Sequence, residues 1–71
     1  MIPYSKLLKA PSGTFVQDRY GNCYIKESNL GSMLVLRDVE MPPYFPAGIF
    51  TPESHTRHQF HIVTPENVIY G

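Results

Sequence analysis

The chain has one cysteine and no excess of either charge, and each of these scarcities excludes a class of protein. The single thiol, Cys23, cannot close an intrachain disulfide, whereas small secreted domains usually depend on several such bridges. Six basic residues balance six acidic ones, although proteins that bind duplex nucleic acid normally carry a basic excess. No two basic residues are adjacent, which excludes a polybasic membrane anchor.

Long apolar runs are also missing. None approaches the ~20 apolar residues that cross a bilayer, and residues 1–13 contain no run long enough for a secretory signal. We therefore expect no membrane association and a reducing location, the cytoplasm, which becomes the host cell cytoplasm or a virion if a phage encodes the chain. A chain of 71 residues is expected to form one compact domain that spans residues 1–71.

The residues that are present predict a folded, mostly β domain. Hydrophobic residues make up 42% of the chain and aromatic residues 13%, a composition that disordered chains do not have. Seven prolines and five glycines are spread along it and leave no room for a long helix. We expect a small sheet or barrel of about four to six short antiparallel strands. At most one short helical turn is expected, near residues 52–55, where Thr51 caps and Pro52 occupies the first helical position.

Clusters of aromatic and β-branched residues predict the strands. Residues 14–28 are expected to form a hairpin around Gly21-Asn22, in one of two registers. A two-residue loop places Tyr20 opposite Cys23, whereas a three-residue loop with a bulge places Asp18 opposite Lys26. The other expected strands are 33–39, 49–50, 56–63 and 68–70. The expected core consists of Val16, Ile25, Leu34, Leu36, Phe50, Phe60, Ile62 and Val68.

The number of apolar residues, set against the small volume that the chain can enclose, predicts a binding function. Exposed apolar patches on small proteins usually mark interfaces. Large aromatic residues usually seek burial, so Tyr44 and Phe45 in the proline-rich segment 41–48 are expected to fold back onto the core unless they form a contact surface. That surface, with Arg37 and Met41 added, would bind another protein or a second copy of the chain. Chains of this size and pattern are common among phage and mobile-element products, where they act as inhibitors or particle components.

Binding of single-stranded nucleic acid is the second hypothesis. In the two-residue-loop register, Phe15, Arg19, Tyr24 and Lys26 share one face of the hairpin. Aromatic residues interleaved with cations can stack on bases and hold the phosphate backbone. The balanced charge argues against this function, and pairing of Arg19 with Tyr24 across the strands is the ordinary alternative.

Neither a catalytic motif nor a cofactor motif is present. The carboxylates form no paired motif and no glycine-rich loop could hold a phosphate, so we predict no enzymatic activity and no cofactor. His55, His58 and His61 recur every three residues, but this spacing fits no standard zinc pattern, and a strand would point His58 away from the other two. The sequence leaves open whether these histidines bind a metal or sense pH.

Overall fold

The computed structural model describes residues 2–64, which form one open antiparallel sheet and two short helices. In chain order, the elements are α1 (Tyr4–Lys9), β1 (Phe15–Gln17), β2 (Cys23–Leu30), β3 (Met33–Asp38), β4 (Gly48–Phe50), α2 (Pro52–His58) and β5 (His61–Val63). The strand order is β4-β3-β2-β1-β5, so the expectation of a mostly β fold with short antiparallel strands is confirmed. No helix in the described range exceeds seven residues, which is too short to cross a membrane.

Helix α1 is absent from the sequence expectations, which allowed only one helical turn near residues 52–55. Six residues are too few to make a helix stable by themselves, and its stability here comes from tertiary contacts. Leu7 is almost completely buried against the sheet. The Lys26 ammonium, on β2, donates hydrogen bonds to backbone carbonyls at the end of this helix. A single-sequence pattern contains no signal for such a distant partner.

Helix α2 begins as predicted and continues further than predicted. Thr51 caps it, with its side-chain oxygen accepting a hydrogen bond from the Ser54 amide at 3.3 Å, and Pro52 is its first residue. The helix runs to His58 and ends at Gln59, whose φ of 56° lies in the left-handed region. The expected strand 56–63 is therefore wrong in its first half, and only its final residues pair with β1 as strand β5.

The first hairpin adopts neither of the two expected registers. Cys23 pairs with Gln17, and residues 18–22 form a five-residue loop. The backbone amide of Asp18 donates to the carbonyl of Asn22, and the Asp18 carboxylate accepts a hydrogen bond from the Asn22 amide. The loop is therefore closed so that Gln17, three residues before Tyr20, lies opposite Cys23. The shift from the two-residue-loop register is three residues, and because an odd shift exchanges the two faces of a strand, the division of side chains between faces that this register predicts is also wrong.

The core lies on the sheet face that the two helices cover. Of the expected core residues, Val16, Leu34, Leu36 and Phe60 are fully buried there, and Phe50 packs against them. The remaining core residues are Leu7 and Tyr24, which the expected core omitted. Ile25 lies on the other face and is half-buried, and Ile62 is 44% exposed because β5 is the last strand of the sheet. Val68 and the expected strand 68–70 lie outside the described residues.

Strands β2 and β3 form the longest ladder and are joined by Gly31-Ser32, where Gly31 has a φ of 62°. The expected strands 33–39 and 49–50 are confirmed as β3 and β4. A bulge between Lys26 and Ser28 interrupts the ladder. It places Glu27 within hydrogen-bonding reach of Arg37, which lies on the sheet face opposite the core.

Candidate functional site

The segment between β3 and β4 carries the largest concentration of exposed apolar side chains. We call residues 39–47 the aromatic loop. Tyr44 is 84% exposed and Phe45 is 47% exposed, so neither of them folds back onto the core as the sequence led us to expect. Five of the eight large hydrophobic side chains that are exposed in the described residues lie between positions 39 and 49. These five are Val39, Met41, Tyr44, Phe45 and Ile49. The apolar surface is therefore concentrated in one region of the molecule.

Arg37 holds the aromatic loop from β3. Its Nη1 atom donates to the carbonyl of Phe45 at 2.7 Å and to that of Pro43 at 3.3 Å, and its Nε atom donates to the Glu27 carboxylate. The structure thus brings Arg37 together with the loop, as the sequence hypothesis requires. The guanidinium is engaged with the loop backbone, however, so Arg37 acts as a positioning residue for this surface.

The loop also contains turns of its own. The Met41 amide donates to the carbonyl of Asp38 at 3.2 Å, and the Phe45 amide donates to that of Pro42 at 2.9 Å. The rings of Tyr44 and Phe45 lie 6.3 Å apart between centroids, at an angle of 37°. Three prolines further restrict the backbone. Because these contacts order the loop before any partner arrives, binding would cost it little conformational entropy.

The four residues of the nucleic-acid hypothesis do not form one surface. Phe15 pairs with Ile25 on the face opposite the core, whereas Tyr24 and Lys26 lie on the core face and are buried. Of the four, only Arg19 is exposed. The expected shared face is therefore wrong, because the hairpin does not adopt the two-residue-loop register on which it depended.

Lys26 has a structural role inside the fold. It is 4% exposed, and its Nζ atom donates to the carbonyls of Leu7, Leu8 and Ala10 at 2.7, 2.7 and 2.6 Å. Burial lowers the pKa of this ammonium from its ordinary value. The three carbonyls at the end of α1 use all three donors of the ammonium, so Lys26 is not available to an external ligand.

A buried carboxylate that the sequence did not single out organises the 18–22 loop. The fully buried side chain of Asp18 accepts hydrogen bonds from the amides of Tyr20 and Asn22, both at 2.9 Å, and lies 3.1 Å from Nδ1 of His58 and 3.4 Å from the Tyr24 hydroxyl. Burial raises the pKa of Asp18, but the hydrogen bonds outweigh it and the pKa lies below the ordinary value. Asp18 and His58 are 40 residues apart, so no local motif could have revealed the pair.

Burial and the nearby carboxylates also affect two neighbours of Asp18. They raise the pKa of Tyr24 to about 12, with burial as the largest cause. The pKa of the Cys23 thiol is raised too, by burial first and then by the negative charges of Glu40, Asp18 and Asp38. A thiol held in its protonated form is a poor nucleophile.

The three histidines occupy separate environments. His55 is buried, and its Nδ1 accepts a hydrogen bond from the Phe60 amide at 3.2 Å, which leaves Nε2 to donate to the carbonyl of Ile2 at 2.7 Å. His58 contacts Asp18, and His61 is exposed on β5. Within residues 2–64, no group of three His, Cys, Asp or Glu side chains is arranged to hold a metal ion.

Comparisons with known proteins leave the assignment of function to this geometry. No protein-family model, curated protein or solved structure matches the chain. The aromatic loop is therefore the candidate site because of its exposure and its preorganised backbone.

Proposed function

We propose that this is a small non-enzymatic binding protein whose aromatic loop docks on another protein surface, in the first instance that of a second copy of the chain. The observation that carries the proposal is the 84% exposure of Tyr44 on a loop that Arg37 and its own turns hold in place. Tyrosine is enriched among the residues that dominate binding energy, because it buries a large rigid surface at a small entropic cost.

The area that an interface needs sets the size of the contact. A stable interface covers ~800 Å² of each partner, which is about a sixth of the 4674 Å² surface of this chain. The aromatic loop is too small to supply that area alone. Ile49, exposed on the adjoining strand β4, extends the apolar surface beyond the loop. The proposed interface therefore includes the loop and the outer part of β4.

The surroundings of two potential nucleophiles, Cys23 and Ser54, favour a binding function over a catalytic one. Cys23 is buried with a raised pKa, and the Ser54 hydroxyl lies 3.2 Å from that of Thr51, at the start of α2. Within residues 2–64, neither side chain is hydrogen-bonded to a histidine that could act as a general base, since the ring of His55, the neighbour of Ser54, is engaged with Ile2 and Phe60. In the role that we propose, the protein is a cytoplasmic accessory factor, such as a phage inhibitor or particle component, and a buried free thiol suits that reducing location.

The experiment replaces the two loop aromatics together, Tyr44→Ser and Phe45→Ser, and measures molar mass by sedimentation over a range of concentrations. We expect the mass of the wild-type protein to rise with concentration and that of the variant to stay at the monomer value. The melting temperature should be unchanged, because both side chains are exposed. The matched control is Leu30→Ser, which removes another exposed apolar side chain at the β2–β3 turn and should associate like the wild type.

Two results would count against the proposal at different levels. A wild-type protein that remains monomeric at millimolar concentration contradicts self-association. Cross-linking in the native cell then tests a different protein partner. If the double variant retains every cross-linked partner of the wild type, the aromatic loop is not the binding surface.

A further inference from the structure

A second surface lies where the 18–22 loop meets the end of helix α2. The backbone amide of Arg19 donates to the carbonyl of His58 at 2.8 Å, which joins the loop to the last turn of the helix. Tyr20 is 67% exposed, and Arg57 is exposed next to His58. We call Arg19, Tyr20, Arg57 and the partly exposed His58 the cationic patch. None of these residues belongs to the aromatic loop.

Within residues 2–64, neither guanidinium group of the cationic patch has a carboxylate partner. Among the described residues, the ion pairs are those of Arg37 with Glu27 and of His58 with Asp18. The Arg19 guanidinium carbon lies instead 5.6 Å from the ring centroid of Tyr20. The backbone amides of Arg19 and Gln59 donate to the carbonyls of His58 and His55 in the last turn of α2, so these two carbonyls already have hydrogen-bond partners. The positive charge of Arg19 and Arg57 is therefore available to an anion from outside.

The patch is ordered before any ligand binds. The Asp18 carboxylate accepts hydrogen bonds from two amides of the loop and contacts His58, so the loop is attached to the helix through side chains as well as backbone. The Tyr20 ring meets the His58 ring edge-on, with centroids 6.1 Å apart and an interplanar angle of 89°. An exposed aromatic ring with the Arg19 guanidinium 5.6 Å from its centroid, close to the helix end that carries Arg57, fits an anion that also has a flat face.

We infer that the cationic patch binds single-stranded nucleic acid, with Tyr20 stacking on a base and Arg19 and Arg57 contacting the phosphates beside it. The balanced charge of the whole chain limits the electrostatic contribution to these two contacts. For two phosphate contacts on a single strand, the logarithm of the affinity falls with the logarithm of the salt concentration with a slope of about −1.4. That slope corresponds to an affinity about sevenfold weaker at 200 mM than at 50 mM salt.

The test measures fluorescence anisotropy of a labelled oligothymidylate, and of the matching oligouridylate, with the full chain at 50 and 200 mM NaCl. We expect binding to both, with the weak salt dependence given above. Arg19→Gln with Arg57→Gln should weaken binding at 50 mM salt by at least tenfold. Tyr20→Ala should weaken it severalfold and leave the salt slope unchanged, because stacking releases no counterions.

The matched control is Lys6→Gln with Lys9→Gln, which removes the same two charges from exposed positions on α1. It should retain binding within about twofold. Equal losses in the two double variants would show that bulk charge alone is responsible and would overturn the inference. So would absence of binding at 50 mM salt, or an oligoglutamate peptide that competes as well as the unlabelled oligonucleotide. The aromatic-loop variant should bind normally, which separates this surface from the one under the proposed function.

Discussion

Lys26 and Arg37 hold segments of the chain in the same way on opposite faces of the sheet. Lys26 donates to three carbonyls at the end of α1, and Arg37 donates to two carbonyls of the aromatic loop. They differ in burial, because Lys26 is enclosed beneath the helix whereas Arg37 remains partly open to solvent beside Glu27. Hydrogen bonds from a buried cation cannot be replaced by water, so the same kind of contact has a much larger effect on stability at Lys26.

The largest effect is expected for Lys26→Met. This change removes the buried ammonium from three carbonyls at the end of α1, of which those of Leu7 and Leu8 keep a second donor, and should lower the free energy of unfolding by about 3 kcal/mol. Urea denaturation measures the difference. The control Lys9→Met makes the same chemical change at an exposed position and should stay within about 0.5 kcal/mol of the wild type. A loss below about 1 kcal/mol at Lys26 would remove the distinction between the two cations.

Asp18→Asn extends the comparison to a buried anion. It should lower the free energy of unfolding by about 2 kcal/mol, because the side-chain amide puts an NH2 group in place of one carboxylate oxygen that accepts hydrogen bonds. The wild-type carboxyl has a lowered pKa when folded, so its stabilising contribution is present above about pH 4 and is lost as the pH falls through the folded value. Denaturation curves from pH 5 to 2 should show a steeper loss in the wild type than in the variant. If the wild type and the variant lost stability equally as the pH falls, the stabilising contribution of the Asp18 carboxylate would be contradicted.

Tyr24→Phe tests the alkaline side of the same cluster. Because the pKa of Tyr24 is raised to about 12, its contribution is present below about pH 10 and is lost as the pH rises towards 12. Lys26 acts with the opposite sign, since its lowered pKa makes stability rise with pH below about 10.5. The variant keeps Lys26, so the difference between the two proteins isolates the tyrosine. Melting temperatures from pH 9 to 12 should diverge, with the wild type losing more.

The smallest effect on stability is expected for Arg37→Met. Its contacts are partly exposed, so the free energy of unfolding should change by less than about 1 kcal/mol. Self-association should nevertheless weaken severalfold, because the aromatic loop loses its tether to β3. Glu27→Gln keeps the contacts with the loop carbonyls and should associate almost as the wild type does. Unchanged association of Arg37→Met, measured by sedimentation, would show that the arginine does not position the loop.

Some of the errors in the sequence-based expectations share a cause, which is a polar residue acting at long range. Lys26 and Arg19 were grouped on one hairpin face, yet the structure uses Lys26 inside the fold and leaves Arg19 at the surface. Arg37 was assigned to the partner surface and lies at its base. The burial of apolar residues in the strands was easier to predict, since apolar side chains such as Val16, Leu34 and Leu36 become buried when the strands pair.

By itself, the sequence determined the class of the fold, the strand β3 and the capped start of α2, because these depend on local composition, β-branched residues and the Thr51-Pro52 cap. Only the tertiary structure decided the hairpin register, the existence of α1 and the exposure of the aromatic loop. Each of these depends on specific side-chain contacts: Asp18 closes the loop with Asn22 and contacts His58, Lys26 holds the end of α1, and Arg37 holds the carbonyl of Phe45. Local propensity contains no information about such pairs, since the energy of each arises only when the rest of the chain brings the partner close and excludes water.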